Sequence, residues 1–301
     1  MRPAIADVIK EIIFPLMSHT KEDAELWETD PYEYVRVKFD VFEDFVSPVT
    51  AAQTLLHSIC KKRKDALDHT MNMLLSVLKA GDTAPAEKDG ALHMIGTMAD
   101  ILLKKKVYKE KMEEFLKHIV FPEFSSKHGH LRARSCWMLH YFAGKFLAVH
   151  MLLIQAPKSL LVFFKHKSWS KGEVWELNFS FNPAICSFSD VKYRNDNVLG
   201  EAFRCTITCL LDDKEVPVKV EAAIALQMML SSQGEKAKAF VEPHIGKITM
   251  ELLQVIRDTE NDDLTTVMQK IICTYTDQLV PLAANICSHL VETFNQVSYN
   301  P

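Results

Sequence analysis

Along most of the chain apolar residues recur at three-and-four spacing, the mark of amphipathic helices. The segments IADVIKEIIFPLM (Ile5–Met17), DHTMNMLLSVLK (Asp68–Lys79), KEKMEEFLKHIVF (Lys109–Phe121), NVLGEAFRCTITCLL (Asn197–Leu211) and EPHIGKITMELLQVIR (Glu242–Arg257) all carry it. A second kind of helix falls between them, clearest in LRARSCWML (Leu131–Leu139) and VKVEAAIAL (Val218–Leu226). Both follow one template: an apolar residue, a base (Arg132, Lys219), then small residues (Ser135 and Cys136; Ala222 and Ala223) and a leucine. On a helix this spacing turns the small side chains toward a close neighbour and predicts a solvated place for the base.

Weaker copies of the template begin at Val35, Lys88 and Leu264, giving successive gaps of 53, 43, 87 and 46 residues. A period in the forties is that of two-helix HEAT or armadillo units. Since one such pair cannot bury its own apolar face, pairs must stack. The expected fold class is therefore all-α: an α-solenoid of HEAT-type antiparallel helix pairs, with one irregular insertion. The second helices, near Tyr32–Val46, Glu87–Lys105, His130–Lys145, Pro217–Ser231 and Asp262–Thr276, should form one layer that faces partners.

The gap of 87 is explained by residues 147–191. VWELNFSFNPAICSFSD, in its second half, alternates like a strand, and the block holds two of the four tryptophans, Trp169 and Trp175. Removing 45 residues leaves a gap of 42. The expected organisation is HEAT-type repeats over 1–146, an irregular insertion over 147–191, and HEAT-type repeats over 192–301.

Composition narrows the function. A chain of 301 residues that is 48% hydrophobic and 25% charged can bury a large core. A net charge of -4 is not the basic balance of a nucleic-acid binder. No run of 18 apolar residues predicts a membrane span. Seven scattered cysteines fit a reducing compartment.

The segments DPYEYVRVKFDVFEDFVSPVTAAQTLL (Asp30–Leu56), KDGALHMIGTMADILLKKKVYKEKME (Lys88–Glu113), RARSCWMLHYF (Arg132–Phe142), DDKEVPVKVEAAIALQMMLS (Asp212–Ser231) and DTENDDLTTVMQKI (Asp258–Ile271) closely resemble the middle of the importin-beta family of nuclear transport receptors, the karyopherins, and within it the branch of importin seven and importin eight. The resemblance implies a nuclear import receptor, shuttling between cytoplasm and nucleus through the nuclear pore. It would take basic cargo proteins, contact Phe-Gly nucleoporins at the pore, and release cargo when Ran GTPase binds. It also implies a central fragment, with the main Ran site outside this chain. The block 147–191 has no counterpart in the family pattern, which suggests a retained intron or a gene-model segment. Periodicity by itself fits equally a generic HEAT scaffold or a regulatory subunit.

No chemistry of catalysis stands out. The chain has no Gly-rich phosphate loop, GxSxG elbow or HExxH pair, so neither an enzyme nor a cofactor is expected. His128, His130 and His140 lack the further close ligands a zinc site needs and read as structural. Cys205 and Cys209, among Phe203, Ile207 and Leu210, read as core. Acidic charge is the more informative signal. Residues 21–44 hold nine acids against three bases, and Asp258, Glu260, Asp262 and Asp263 form a second cluster. That second cluster is the candidate site for basic cargo, through a field reaching about 8 Å at physiological salt.

Overall fold

The computed structural model describes residues 3–39, 47–143, 196–259, 261–289 and 291; all of 147–191 lies outside them. The described residues contain helices and no strands, and they form an all-α solenoid of stacked pairs. The first layer contains α1 (3–17), α5 (Lys64–Lys79), α8 (112–123), α10 (Asp196–Asp212) and α13 (Ile245–Thr259). The second contains α4 (Pro48–Lys62), α6 (Pro85–Thr97), α9 (Gly129–Ala143), α11 (Val216–Gln233) and α14 (Asp262–Thr274). Short helices fill the connections, among them α2 (Lys21–Thr29), α3 (Pro31–Lys38), α7 (Ala99–Lys104) and α12 (Glu235–Val241).

Each second-layer helix packs on the next, α4 on α6, α6 on α9, α9 on α11 and α11 on α14. The small residues of the sequence template permit this. Ser135, Cys136, Ala222 and Ala223 are all fully buried, where α9 and α11 meet most extensively. At the neighbouring crossing Gly96 leaves room for Trp137; a Cβ there would lie 2.2 Å from the indole.

Two first-layer helices carry a π-helical stretch, Val8–Ile13 and Leu116–Val120, each directly before a Phe-Pro step, Phe14-Pro15 and Phe121-Pro122. Proline lacks an N–H and crowds the carbonyl one turn back, so a widened turn absorbs the mismatch without breaking the helix.

One expected element is differently placed. The template copy at Val35 does not supply the second helix of the first pair. Ser47 caps the Val49 N–H at 3.1 Å and Pro48 takes the first turn of α4, whose Ala52, Leu56 and Cys60 make the buried stripe. The Ser-Pro step is thus a helix start. Helix α3 lies elsewhere: with α2 it forms a strap between α1 and α4, and it packs on α11 and α13. Thr20 opens the strap with a reciprocal capping box to Asp23, and Asp30 caps Glu33 of α3.

Candidate functional site: a charged row beneath the strap

Beneath the strap the second layer contains a run of fully buried backbone. Residues 89–97 of α6 and 222–230 of α11 are buried on every side of the helix, because the first layer covers one side and neighbours or the strap cover the rest. Polar side chains placed there must find partners, and most do.

Asp89, only 2% exposed, receives the Arg134 Nε at 2.7 Å and Nη2 at 3.4 Å. The Arg134 guanidinium also lies 4.7 Å over the Trp137 ring. Burial raises the Asp89 pKa, but the guanidinium outweighs it and the carboxyl stays below its usual range. His93 bonds the Met17 carbonyl through Nδ1 at 2.9 Å and Gln53 through Nε2 at 2.7 Å. Burial, with Arg134 adding to it, holds that imidazole neutral, with a pKa lowered to about 3.

The strap is fastened by polar contacts. Trp27 donates its Nε1–H to Glu215, His19 stacks on His130 with ring centroids 4.2 Å apart, and Lys38 pairs with Asp23 at 2.7 Å. Glu215 also accepts from Arg132 at 2.8 Å, and Arg132 reaches Asp213 at 2.6 Å. The equivalent base of the second template, Lys219, pairs with Glu251. Both template bases, expected in solvent, are instead clamps to the following unit, with side chains 15% and 17% exposed. The stems lie along apolar surface and the charged heads meet acids.

Between strap and second layer is a cavity of about 380 Å³. It gathers one charged residue from each of four successive second-layer helices: Asp89 from α6, Arg134 from α9, Glu221 from α11 and Asp263 from α14. Arg134 and Glu221 stand at the same position of the two template copies. Glu221 makes no hydrogen bond or ion pair among the described residues. Burial raises its pKa to about 7; Asp263 and Asp89 add to that, and Arg134 opposes it.

Of the cluster proposed from sequence, Asp263 alone lines this cavity. Asp258 is tied back to its own helix, accepting from Gln254 Nε2 at 2.7 and 2.9 Å with Arg257 at 3.6 Å. Glu260 and the side chain of Asp262 lie outside the described residues. The sequence did not point to Asp89, Arg134 or Glu221 as a set; their shared template register was the available signal.

His130 and His140 line this cavity, whereas Cys205 and Cys209 pack in the core. His130 belongs to the stack with His19, and among the described residues no group of three potential ligands could hold a metal. Cys205 and Cys209 are buried, and burial raises the Cys205 thiol to about 12.

On the opposite layer, α10 and α13 border a groove of about 770 Å³ lined by Phe203, Ile207, Leu211, Phe240 and Met250. Phe203 and Phe240 stack there at 5.4 Å. Among the described residues no helix is long and apolar enough to cross a membrane.

Sequence comparison gives relatives along nearly the whole chain. It is 41% identical to human Importin-8 over 297 residues, covering 99% of this chain and 24% of that protein. It is 26% identical over 301 residues to the Arabidopsis thaliana Importin beta-like SAD2 homolog, and 24% identical over 303 residues to the Probable importin-7 homolog of Dictyostelium discoideum, with 98% of this chain and 24% of each relative covered. The chain thus spans about a quarter of the length of the curated relatives it matches. No protein-family model and no solved structure matches it.

Proposed function

The chain belongs to the importin-beta family, and from that premise we propose that it serves as one segment of a nuclear import receptor, binding cargo proteins and moving them between cytoplasm and nucleus under control of Ran GTPase. The observation that carries this is the identity of 41% over 99% of the chain. Two surfaces support it. The acidic row of the second layer suits basic cargo, and the apolar groove between α10 and α13 suits the Phe-Gly repeats of nucleoporins. Both surfaces support a binding role.

The organisation proposed is two runs of HEAT-type repeats, 1–146 and 192–301, separated by an insertion over 147–191. Its support is the direct packing of α9 on α11. Consecutive packing of these two helices is what one repeat plus an insertion predicts.

The test is a pull-down of cytosolic proteins on human Importin-8 carrying this chain in place of its matching segment, with and without Ran loaded with GTP. Transport predicts that Lys-rich proteins are retained and that GTP-loaded Ran lowers their recovery. A generic HEAT scaffold would retain partners regardless of Ran. Reversing the charges of Asp258, Glu260, Asp262 and Asp263 is expected to weaken capture most at low salt, where attraction is least screened. Unchanged capture at both salt levels would remove that cluster from the cargo site.

A further inference from the structure

Charges along the second layer run negative, positive, negative, negative from Asp89 through Arg134 and Glu221 to Asp263. The first two satisfy each other. Glu221 has a same-sign neighbour on its far side, and both cations lining the cavity are committed elsewhere, Arg134 to Asp89 and Lys38 to Asp23. The row is short of one positive charge next to Glu221.

We infer that this cavity is a subsite for one cationic side chain, a lysine ammonium or an arginine guanidinium, presented by a partner chain and seated on the Glu221 carboxylate. The inference rests on the reading of the chain as a receptor for other proteins, and adds to it the residue that receives them.

The remaining polar atoms select the same class. His130 Nε2 and His140 Nδ1 are buried in the cavity wall without a hydrogen-bond partner among the described residues. The other nitrogen of His130 bonds the Pro85 carbonyl and so carries the proton, which leaves Nε2 as an acceptor. A carboxylate and an imidazole lone pair call for a ligand made of donors. Ammonium and guanidinium groups are donors only, and they match this set where a hydroxyl, an amide or an anion does not. Trp137, Tyr141 and Tyr34 add aromatic walls, which favour a cation over a neutral group. The volume of about 380 Å³ far exceeds that of a bridging water, which occupies about 30 Å³.

The groups facing Glu221 are Arg134, Asp89, Asp263 and the Tyr34 hydroxyl. Burial holds the cavity imidazoles His19, His93, His130 and His140 below their usual range. With its pKa raised to about 7, Glu221 changes charge between pH 6 and 8. Ionised, it binds a cation; protonated, it does not.

The experiment is fluorescence anisotropy of the whole chain with three fluorescein-labelled octapeptides, alternating glycine with lysine, with arginine, or with glutamate. The lysine or arginine peptide, or both, should bind and the glutamate peptide should not; which of the two binds tighter identifies the source of the cation. Glu221→Gln should weaken binding about tenfold or more, while Asp277→Asn, an exposed acid in a remote helical turn, should not. Wild-type affinity should rise from pH 6 to pH 8, and the variant should lose that slope. The imidazole nitrogens of His130 and His140 should shift on addition of the bound peptide. A Glu221→Gln protein that binds like Asp277→Asn, or that keeps the slope, overturns the subsite. If Ran-sensitive cargo capture persists without any peptide binding, the subsite falls and the transport reading stands. If peptide binding depends on Glu221 but capture ignores Ran, the reverse holds.

Discussion

Two neighbouring stretches of one helix layer handle buried charge in opposite ways. At the α6–α9 crossing Asp89 and Arg134 meet in a two-point ion pair, with the guanidinium stacked on Trp137. One helix further along, Glu221 takes the equivalent place on α11 and forms no ion pair among the described residues, Arg134 being committed to Asp89. The first arrangement closes the stack; the second leaves an unmet electrostatic demand facing a cavity. A buried charge thus acts as fastening or as receptor according to whether the next helix supplies its complement.

Breaking the satisfied end should have the largest effect. Arg134→Met keeps an apolar stem but leaves Asp89 buried and unpaired, and removing one partner of a buried pair costs on the order of 3–5 kcal/mol. Urea unfolding should show a midpoint lowered accordingly. Adding Asp89→Asn should restore most of the loss, since a neutral amide does not carry the desolvation of a carboxylate. A double variant as unstable as the single one would mean that Arg134 acts through packing on Trp137 alone.

At the unsatisfied end the sign reverses. The native pKa of Glu221 is raised, so the folded state holds a proton that the unfolded chain has released. The protonated side chain is tolerated at low pH, and stability declines as pH rises from the usual carboxylate range through about 7. Glu221→Gln should change little near pH 4.5 and stabilise the chain at pH 8, by ~3 kcal/mol at most at about 1.4 kcal/mol per tenfold. Melting curves at the two pH values check this. Equal stabilisation at both, or loss at pH 8, would show that Glu221 has a partner.

Much of this fold was legible, and for a physical reason. The pairs repeat, apolar spacing survives in every first-layer helix, and the small residues at Ser135, Cys136, Ala222 and Ala223 mark the close crossing found at α9 and α11. Two features were hidden. The strap breaks the rule that each unit touches only its neighbours, because α3 packs on α11 and α13; local periodicity holds no trace of so distant a contact. The template also assigned its bases to solvent, whereas Arg132 and Lys219 reach acids at Asp213 and Glu251. Coverage from both sides leaves such second-layer helices with little wet face, and a single-sided amphipathic picture misses that. The candidate site was legible only at its edge, through Asp263. Asp89, Arg134 and Glu221 lie in separate segments whose juxtaposition depends on the stack.

The contrast within the second layer should vanish on the outer surface, and there the smallest effect is expected. Arg204 and Glu201 form a bidentate pair one turn apart on α10, with bonds of 2.9 Å and shorter, geometry as good as that of Arg134 and Asp89. Their side chains are 63% and 41% exposed, so water screens both charges and little desolvation was incurred in forming the pair. Hydrogen bonding from Arg204 lowers the Glu201 pKa, yet between such exposed groups that direction carries little stability. Arg204→Ala should shift the urea midpoint by no more than a few tenths of a kcal/mol, with any shift reduced further by salt. A loss comparable to that of Arg134→Met would mean that ion-pair geometry, and not burial beneath the strap, decides what a charge contributes in this chain.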